Sequence, residues 1–219
     1  MENEGKKTLV VNLFGGAGTG KSTLLYGLMW ILKVFGMVVE AAIEFPKSLV
    51  WEKRYWTLKR QIYIFGKHTK ILENLDGEVE IVVSEASPLV SLFYLDPKAS
   101  YAEAYKNLIL EYSKQYNNVN IFVNRGDLDF EMEGRTQGDR DVAEEQGQGF
   151  RRILDECGIE YYVVESKKGL LNSIKLIMQT VVIIRRHYKE LTGSTQLDEK
   201  FIEAAEFIKQ MELLLPEEE

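Results

Sequence analysis

Hydrophobic positions follow two alternating periods along the chain. Short, nearly unbroken apolar runs at residues 8–14, 37–44, 80–84, 119–124 and 160–164 predict strands, and the continuity of the first predicts burial on both faces. Between the runs, apolar residues recur at helical intervals. Residues 21–35 place Leu24, Leu25, Leu28, Ile31, Leu32 and Phe35 on a helix, with Gly36 as its C-terminal cap. Residues 51–70 predict two helices parted near Thr57. Residues 99–116 predict a long amphipathic helix with Tyr101, Ala104, Tyr105, Leu108 and Tyr112 on one face, and residues 140–157 predict another helix. Two closing helices follow, at about 169–191 and 198–215, the last with Phe201, Ala204, Ala205, Ile208 and Leu215 facing inward.

Strands alternating with helices predict an α/β fold: a five-stranded parallel sheet with right-handed crossovers, held between two helical layers as a three-layer α/β/α sandwich. The chain, 1–219, reads as one domain, with the helices of 168–219 packed on its core. Sheets of this kind bind ligands beyond the carboxyl ends of their strands. That rule gathers residues 15–22, Glu44, Glu85 and Arg125 at one rim.

Composition narrows the picture. A net charge of −7 and a pI near 5.1 argue against a broad nucleic-acid footprint or a membrane-surface habit, and leave a local basic cleft open. The single cysteine, Cys157, has no partner for a disulfide within the chain and points to a reducing compartment. With only His68 and His187 beside it, a structural zinc site is not expected. The longest apolar run, 176–184, is broken by Gln179 and Thr180 and is too short to span a bilayer, and the N-terminus lacks a basic-then-apolar layout. The expectation is a cytoplasmic protein with no membrane partner, and oligomerisation is left open.

The chemistry concentrates after the first strand. Gly15-Gly16-Ala17-Gly18-Thr19-Gly20-Lys21-Ser22-Thr23 fits G-x-x-x-x-G-K-[ST] between a buried strand and an amphipathic helix. Glycines let successive backbone N–H groups turn inward around an anion, and the helix adds its positive end. Lys21 then reaches the β- and γ-phosphates and Ser22 ligates Mg²⁺. The ligand expected is a nucleoside triphosphate, ATP, with Mg²⁺.

Three further places at the rim carry candidate chemistry. Glu44, after the second strand and beside Pro46, is either a general base for an attacking hydroxyl or a solvated loop carboxylate. Glu85, after the third, is either the acid that organises Mg²⁺ or a helix cap. The polar, glycine-punctuated stretch 125–148 reads as a lid whose Arg125 and Arg135 close on the triphosphate, or as a charged loop. Arg135 is the preferred residue for neutralising charge on the transferred group. Asn124-Arg125-Gly126-Asp127 departs from the guanine-reading N-K-x-D, and Glu85-Ala86-Ser87-Pro88 stands where a GTPase shows D-x-x-G, so a GTPase is rejected. In residues 51–70, Trp51, Tyr55, Trp56, Tyr63 and Phe65 alternate with cations. They are either base-stacking platforms or a core stripe, with Gln61 placed to read a base edge.

In this order of parts the chain resembles the kinase branch of P-loop proteins, which holds nucleoside and nucleotide kinases. The parts are residues 15–22, Glu44 ahead of Pro46, Gln61 on an aromatic helix, Glu85, and an arginine-bearing lid. The resemblance implies a sheet order of 2-3-1-4-5 and transfer of the γ-phosphate of ATP to a hydroxyl of a nucleoside or nucleotide. It also implies that Glu44 activates the acceptor and Gln61, with Trp51, binds it. Arg125 followed by Gly134-Arg135-Thr136-Gln137, with Tyr63-Ile64-Phe65-Gly66-Lys67, is similar to phage-encoded P-loop kinases labelled as AAA-type ATPases. That group includes enzymes acting on 5-hydroxymethyluracil in DNA, which implies a modified-base DNA acceptor and a host cytoplasm as the alternative. The sequence departs from the pattern where Phe45 interrupts Glu-Pro and where Glu85-Ala86 replaces an Asp-Arg pair. A nucleotide-driven switch or motor is the rival from another class, with the two closing helices as its docking surface.

Overall fold

The computed structural model describes residues 7–129 and 140–214. Five strands, β1 (Leu9–Phe14), β2 (Val39–Ala42), β3 (Ile81–Ser84), β4 (Asn117–Asn124) and β5 (Tyr162–Glu165), form one parallel sheet in the order β2-β3-β1-β4-β5. The order matches the expected one. β1 lies at its centre, pairing Leu9 with Ile81 on one side and with Asn117 on the other. All six residues of β1 are buried, as its unbroken apolar run requires.

Helix α1 (Lys21–Val34) follows the glycine-rich loop and buries Leu24, Leu25, Leu28, Ile31 and Leu32 against the sheet. Gly36, in the left-handed region, closes its end. Packed beside it are α8 (Leu170–Thr192) and α9 (Thr195–Leu214), which bury Val181, Ile184, Phe201, Ala204 and Ile208 in the same core. Arg185 and Lys189 on α8 both donate to the Asp198 carboxylate, at 2.6 and 2.9 Å, tying the two helices together.

The opposite layer departs from expectation in its details. Residues 45–75 form three helices, α2 (Phe45–Trp51), α3 (Tyr55–Leu58) and α4 (Gln61–Leu75), with breaks at Arg54 and Arg60 and none at Thr57. A short α5 (Val90–Phe93), unseen in the sequence, follows Pro88. Helix α6 (Ala102–Ser113) buries Tyr105 and Ile109 and leaves Tyr101 and Leu108 exposed, so the inward face is turned from the expected tyrosine stripe. Helix α7 (Arg140–Glu156) packs on α5, bringing Phe93 to 4.4 Å from Phe150, ring centre to ring centre. β2 is shorter than its apolar run, because the chain leaves the sheet at Ile43 and Glu44 to start α2. Among the described residues, no helix is long and apolar enough to cross a membrane.

Candidate active site

Four strands deliver their next residues to one rim. After Phe14 the chain turns through the glycine loop, after Ala42 it reaches Glu44, after Ser84 comes Glu85, and after Asn124 comes Arg125. The turn into α1 uses Gly20, which sits in the left-handed region at φ 85° as the residue before the helix. Gly16 is needed for another reason. A side chain there would place its Cβ 2.3 Å from the Ala143 carbonyl of α7. Gly16→Ala is expected to push α7 off the loop and destabilise the fold by about 1–3 kcal/mol, with weaker ATP binding. Thermal melts and an ATP titration check it, and an unshifted melting temperature would contradict it.

Lys21 folds back over the loop and donates to the carbonyls of Gly15 and Gly16, at 2.9 and 2.8 Å. Thr19 closes the loop by donating to the Gly16 carbonyl at 3.1 Å. The Ser22 hydroxyl donates to Oε1 of Glu85 at 2.8 Å, joining the two residues expected to organise the metal. Helix α1 has no acidic residue in its first turn and no side-chain cap, which leaves its positive end for an anion.

The hydroxyl–carboxylate pair is a donor set suited to Mg²⁺, which keeps most of its water and needs only one or two protein oxygens beside phosphate. Among the described residues no group of three or more His, Cys, Asp or Glu is assembled for a metal. The Ser22–Glu85 pair fits a phosphate-bound Mg²⁺.

Glu44 sits in the same cleft, partly buried. Burial pushes its carboxyl above the ordinary value of 4.5, and the nearby Glu85 pushes it the same way. Lys21 and Lys47 pull against that shift. Tyr94, the residue that caps the end of α5, lies near it and accepts a hydrogen bond from Gln146 Nε2 at 2.7 Å. Burial, with Glu44 adding, pushes the Tyr94 phenol up to about 12, so it remains a neutral hydroxyl.

These residues line one cleft of about 1270 Å³. The phosphate loop, Ser22, Glu44 and Glu85 line it together. Trp51, Leu58, Gln61, Ile64 and His68, from α2, α3 and α4, line it as well. Trp51 is exposed at the mouth, and Gln61 lies within. Arg125 stands elsewhere than a lid would carry it. It is buried behind the loop, and its guanidinium donates to the Ala17 carbonyl. Leu128 and Asp129 do reach the cleft, and Asp129 pairs with Lys168 at 2.9 Å. Arg135 lies outside the described residues.

Phe65 is core, whereas Trp51, Tyr55, Trp56 and Tyr63 are exposed. The Arg60 guanidinium lies 4.6 Å from the centre of the Trp56 ring. Tyr94, Gln146 and His68 were not placed at the site from sequence. Tyr94 had no signal, because α5 is too short to show a period. His68 had one: it follows Gln61 and Ile64 at helical spacing.

A family model described as an AAA domain matches residues 10–169. No curated protein matches the chain. Among solved structures, a thymidylate kinase from Ehrlichia chaffeensis is similar, with a TM-score of 0.54 and 12% identity over 81% of this chain and 99% of that one. A deoxyadenosine kinase from M. mycoides with bound dATP is similar with a TM-score of 0.53 and 18% identity, over 79% and 98% of the two chains. The likeness is one of fold.

Proposed function

The chain belongs to the AAA domain family, and from that premise we propose that it is an ATP- and Mg²⁺-dependent phosphotransferase that moves the γ-phosphate to a hydroxyl of a nucleoside or nucleotide. One observation carries the reading: the phosphate loop does not open onto bulk solvent alone but shares a walled cleft with a carboxylate of raised pKa. An ATPase switch needs no such carboxylate beside its phosphate loop. The kinases of similar fold act, by their names, on thymidylate and on deoxyadenosine, which supports an acceptor of that class.

In this mechanism residues 15–20 cradle the triphosphate with backbone N–H groups, and Lys21 leaves the Gly15 and Gly16 carbonyls for the β- and γ-phosphate oxygens. Ser22 and Glu85 would hold Mg²⁺, and the ion would supply positive charge against the phosphates. Glu44 accepts the proton of the attacking hydroxyl. Arg125 fixes the loop through the Ala17 carbonyl, and Arg135 is the residue assigned to neutralise charge on the transferred group. The test incubates the protein with γ-labelled ATP and the four deoxynucleosides or their monophosphates. Label transfer is the expected result. Rapid ATP hydrolysis with no labelled acceptor, together with ring assembly, would replace the reading with the motor.

A second reading has its own support. Between Phe45 and Lys70 seven lysines or arginines stand against one carboxylate, Glu52, beside four exposed aromatic rings. Rings stack on bases and cations meet phosphate, so an acceptor within DNA, such as a hydroxymethylated base, fits this mouth. Under that reading, transfer to hydroxymethyluracil-containing DNA falls steeply between 50 and 200 mM salt, because each phosphate contact releases a counterion. Salt-insensitive transfer counts for the free nucleoside.

A further inference from the structure

Two outward faces on opposite layers of the sheet complement each other. Along α4 and the residue that caps it, Arg60, Tyr63, Lys67 and Lys70 recur at helical spacing and form one stripe about 15 Å long. None of these three cations is ion-paired with a carboxylate among the described residues. Arg60 lies over the Trp56 ring, and Lys67 lies 5.4 Å from the centre of Tyr63 and 5.5 Å from that of Phe45. Tyr55, Trp56 and Ile62 beside them are each more than half exposed.

Helix α9 carries the opposite character. Phe201, Ala204 and Ile208 turn one of its faces into the core. The other face presents Glu199, Glu203 and Glu206, spread over about 10.5 Å, and then Leu213 and Leu214. Among the described residues the three carboxylates pair with no cation. The two leucines are 85% and 84% exposed. Bare leucines that continue an acidic stripe make a face suited to a partner.

One chain cannot bring the two faces together. Helices α1, α8 and α9 pack on the side of the sheet to which β1 turns Val11 and Leu13, whereas α4 packs Phe65 and Leu72 on the side of Val10 and Phe14. The partner whose charge and apolar end fit the α4 stripe is thus a second copy. A single-stranded polynucleotide also suits cations and rings, but it accounts for neither the acidic face nor the leucines.

We propose that the Arg60–Lys70 stripe of one copy receives the acidic face of α9 from another, with Leu213 and Leu214 seated on the exposed rings beside it. The interface is heterologous, so each copy offers both halves and the pairing repeats until it closes into a ring or extends. Exposed ion pairs contribute less than about 1 kcal/mol each, so the leucine–ring contact supplies most of the affinity and the charges choose the partner. Tyr55 belongs to this surface and also lines the cleft, which sets the neighbour's α9 beside the cleft mouth. The proposal does not depend on the phosphotransferase reading.

The test follows the mass of the full chain by sedimentation velocity. Mass is expected to rise with concentration at low salt, with apparent affinity about tenfold weaker in high salt. Two double variants separate the halves: Arg60→Glu with Lys70→Glu spoils the stripe, and Leu213→Asp with Leu214→Asp spoils the α9 end. Each is expected to remain a single chain. Mixed in equal amounts they form a pair and nothing larger, because one supplies an intact α9 and the other an intact stripe. If the leucine variant does not fold, a charge swap decides: adding Glu203→Lys and Glu206→Lys to the spoiled stripe restores assembly. The proposal is overturned if the wild type stays a single chain at every concentration, if either double variant assembles as the wild type does, if the mixture stays unpaired, or if the swap fails to restore assembly. A labelled oligothymidylate bound through Arg60 and Lys70 by a chain that stays single would also overturn it and give the stripe to single-stranded DNA. Label transfer from ATP is read in the same samples. Assembly without transfer removes the phosphotransferase reading and leaves this one standing, and transfer by single chains does the reverse.

Discussion

Lys21→Ala is expected to cut phosphoryl transfer by roughly 1,000-fold or more while leaving the fold in place. The side chain contributes nothing to the core. Its ammonium sits on the carbonyls of Gly15 and Gly16, a resting place from which a short swing reaches the phosphates. Its removal takes away the fixed positive charge that meets charge developing on the transferred group. It also disturbs the acceptor side, because Lys21 is the strongest influence holding the Glu44 carboxyl down against its burial. Without Lys21 that carboxyl moves further up and is less often free to take a proton. The variant thus loses charge stabilisation and general base together. Lys21→Arg restores the charge but not the compact point donor, and rescues little of the rate. Single-turnover transfer with saturating ATP, alongside a thermal melt, checks this. Wild-type transfer by Lys21→Ala on the true acceptor would end the assignment.

The parts that local sequence controls were readable in advance. β1 and α1 carry unmixed periods, and the glycine loop of residues 15–20 between them admits few other conformations. Ser22 and Glu85 stand 63 residues apart in sequence, yet the strand-end rule for parallel sheets brought them to one rim, and they hydrogen-bond at 2.8 Å. What long-range packing decides was not readable. Trp51 and Phe65 look alike in a basic, aromatic stretch, but Phe65 packs edge-on to Tyr105 and Tyr112 from α6 while Trp51 meets solvent. Arg125 suggested a lid because its neighbours are polar. Its burial behind Ala17 depends on how β4 runs beside β1, which no local window contains.

Glu44→Gln is expected to lower transfer by roughly 100- to 10,000-fold and, at the same time, to stabilise the protein at neutral pH. Both effects come from one cause. Burial raises the Glu44 carboxyl above its ordinary 4.5, with Glu85 adding to the shift and Lys21 and Lys47 opposing it. The folded state therefore favours the protonated form more than the unfolded chain does. Any stabilisation linked to that proton is complete below the unfolded value and is lost as pH rises through the folded one. At any pH above the unfolded value the raised pKa costs the wild-type fold stability, and glutamine, a neutral mimic, relieves that cost. Catalysis runs the other way, since only the ionised form takes a proton from the acceptor. Wild-type turnover should therefore fall on the acid side at a pH above that of an exposed glutamate, and the Gln variant should lack this limb. Rate–pH profiles and melts of both proteins across the same buffers provide the measurement. If the glutamine variant keeps the wild-type rate, or melts lower than wild type at neutral pH, then Glu44 is not a buried base, and the shared cleft needs another source for its acceptor chemistry.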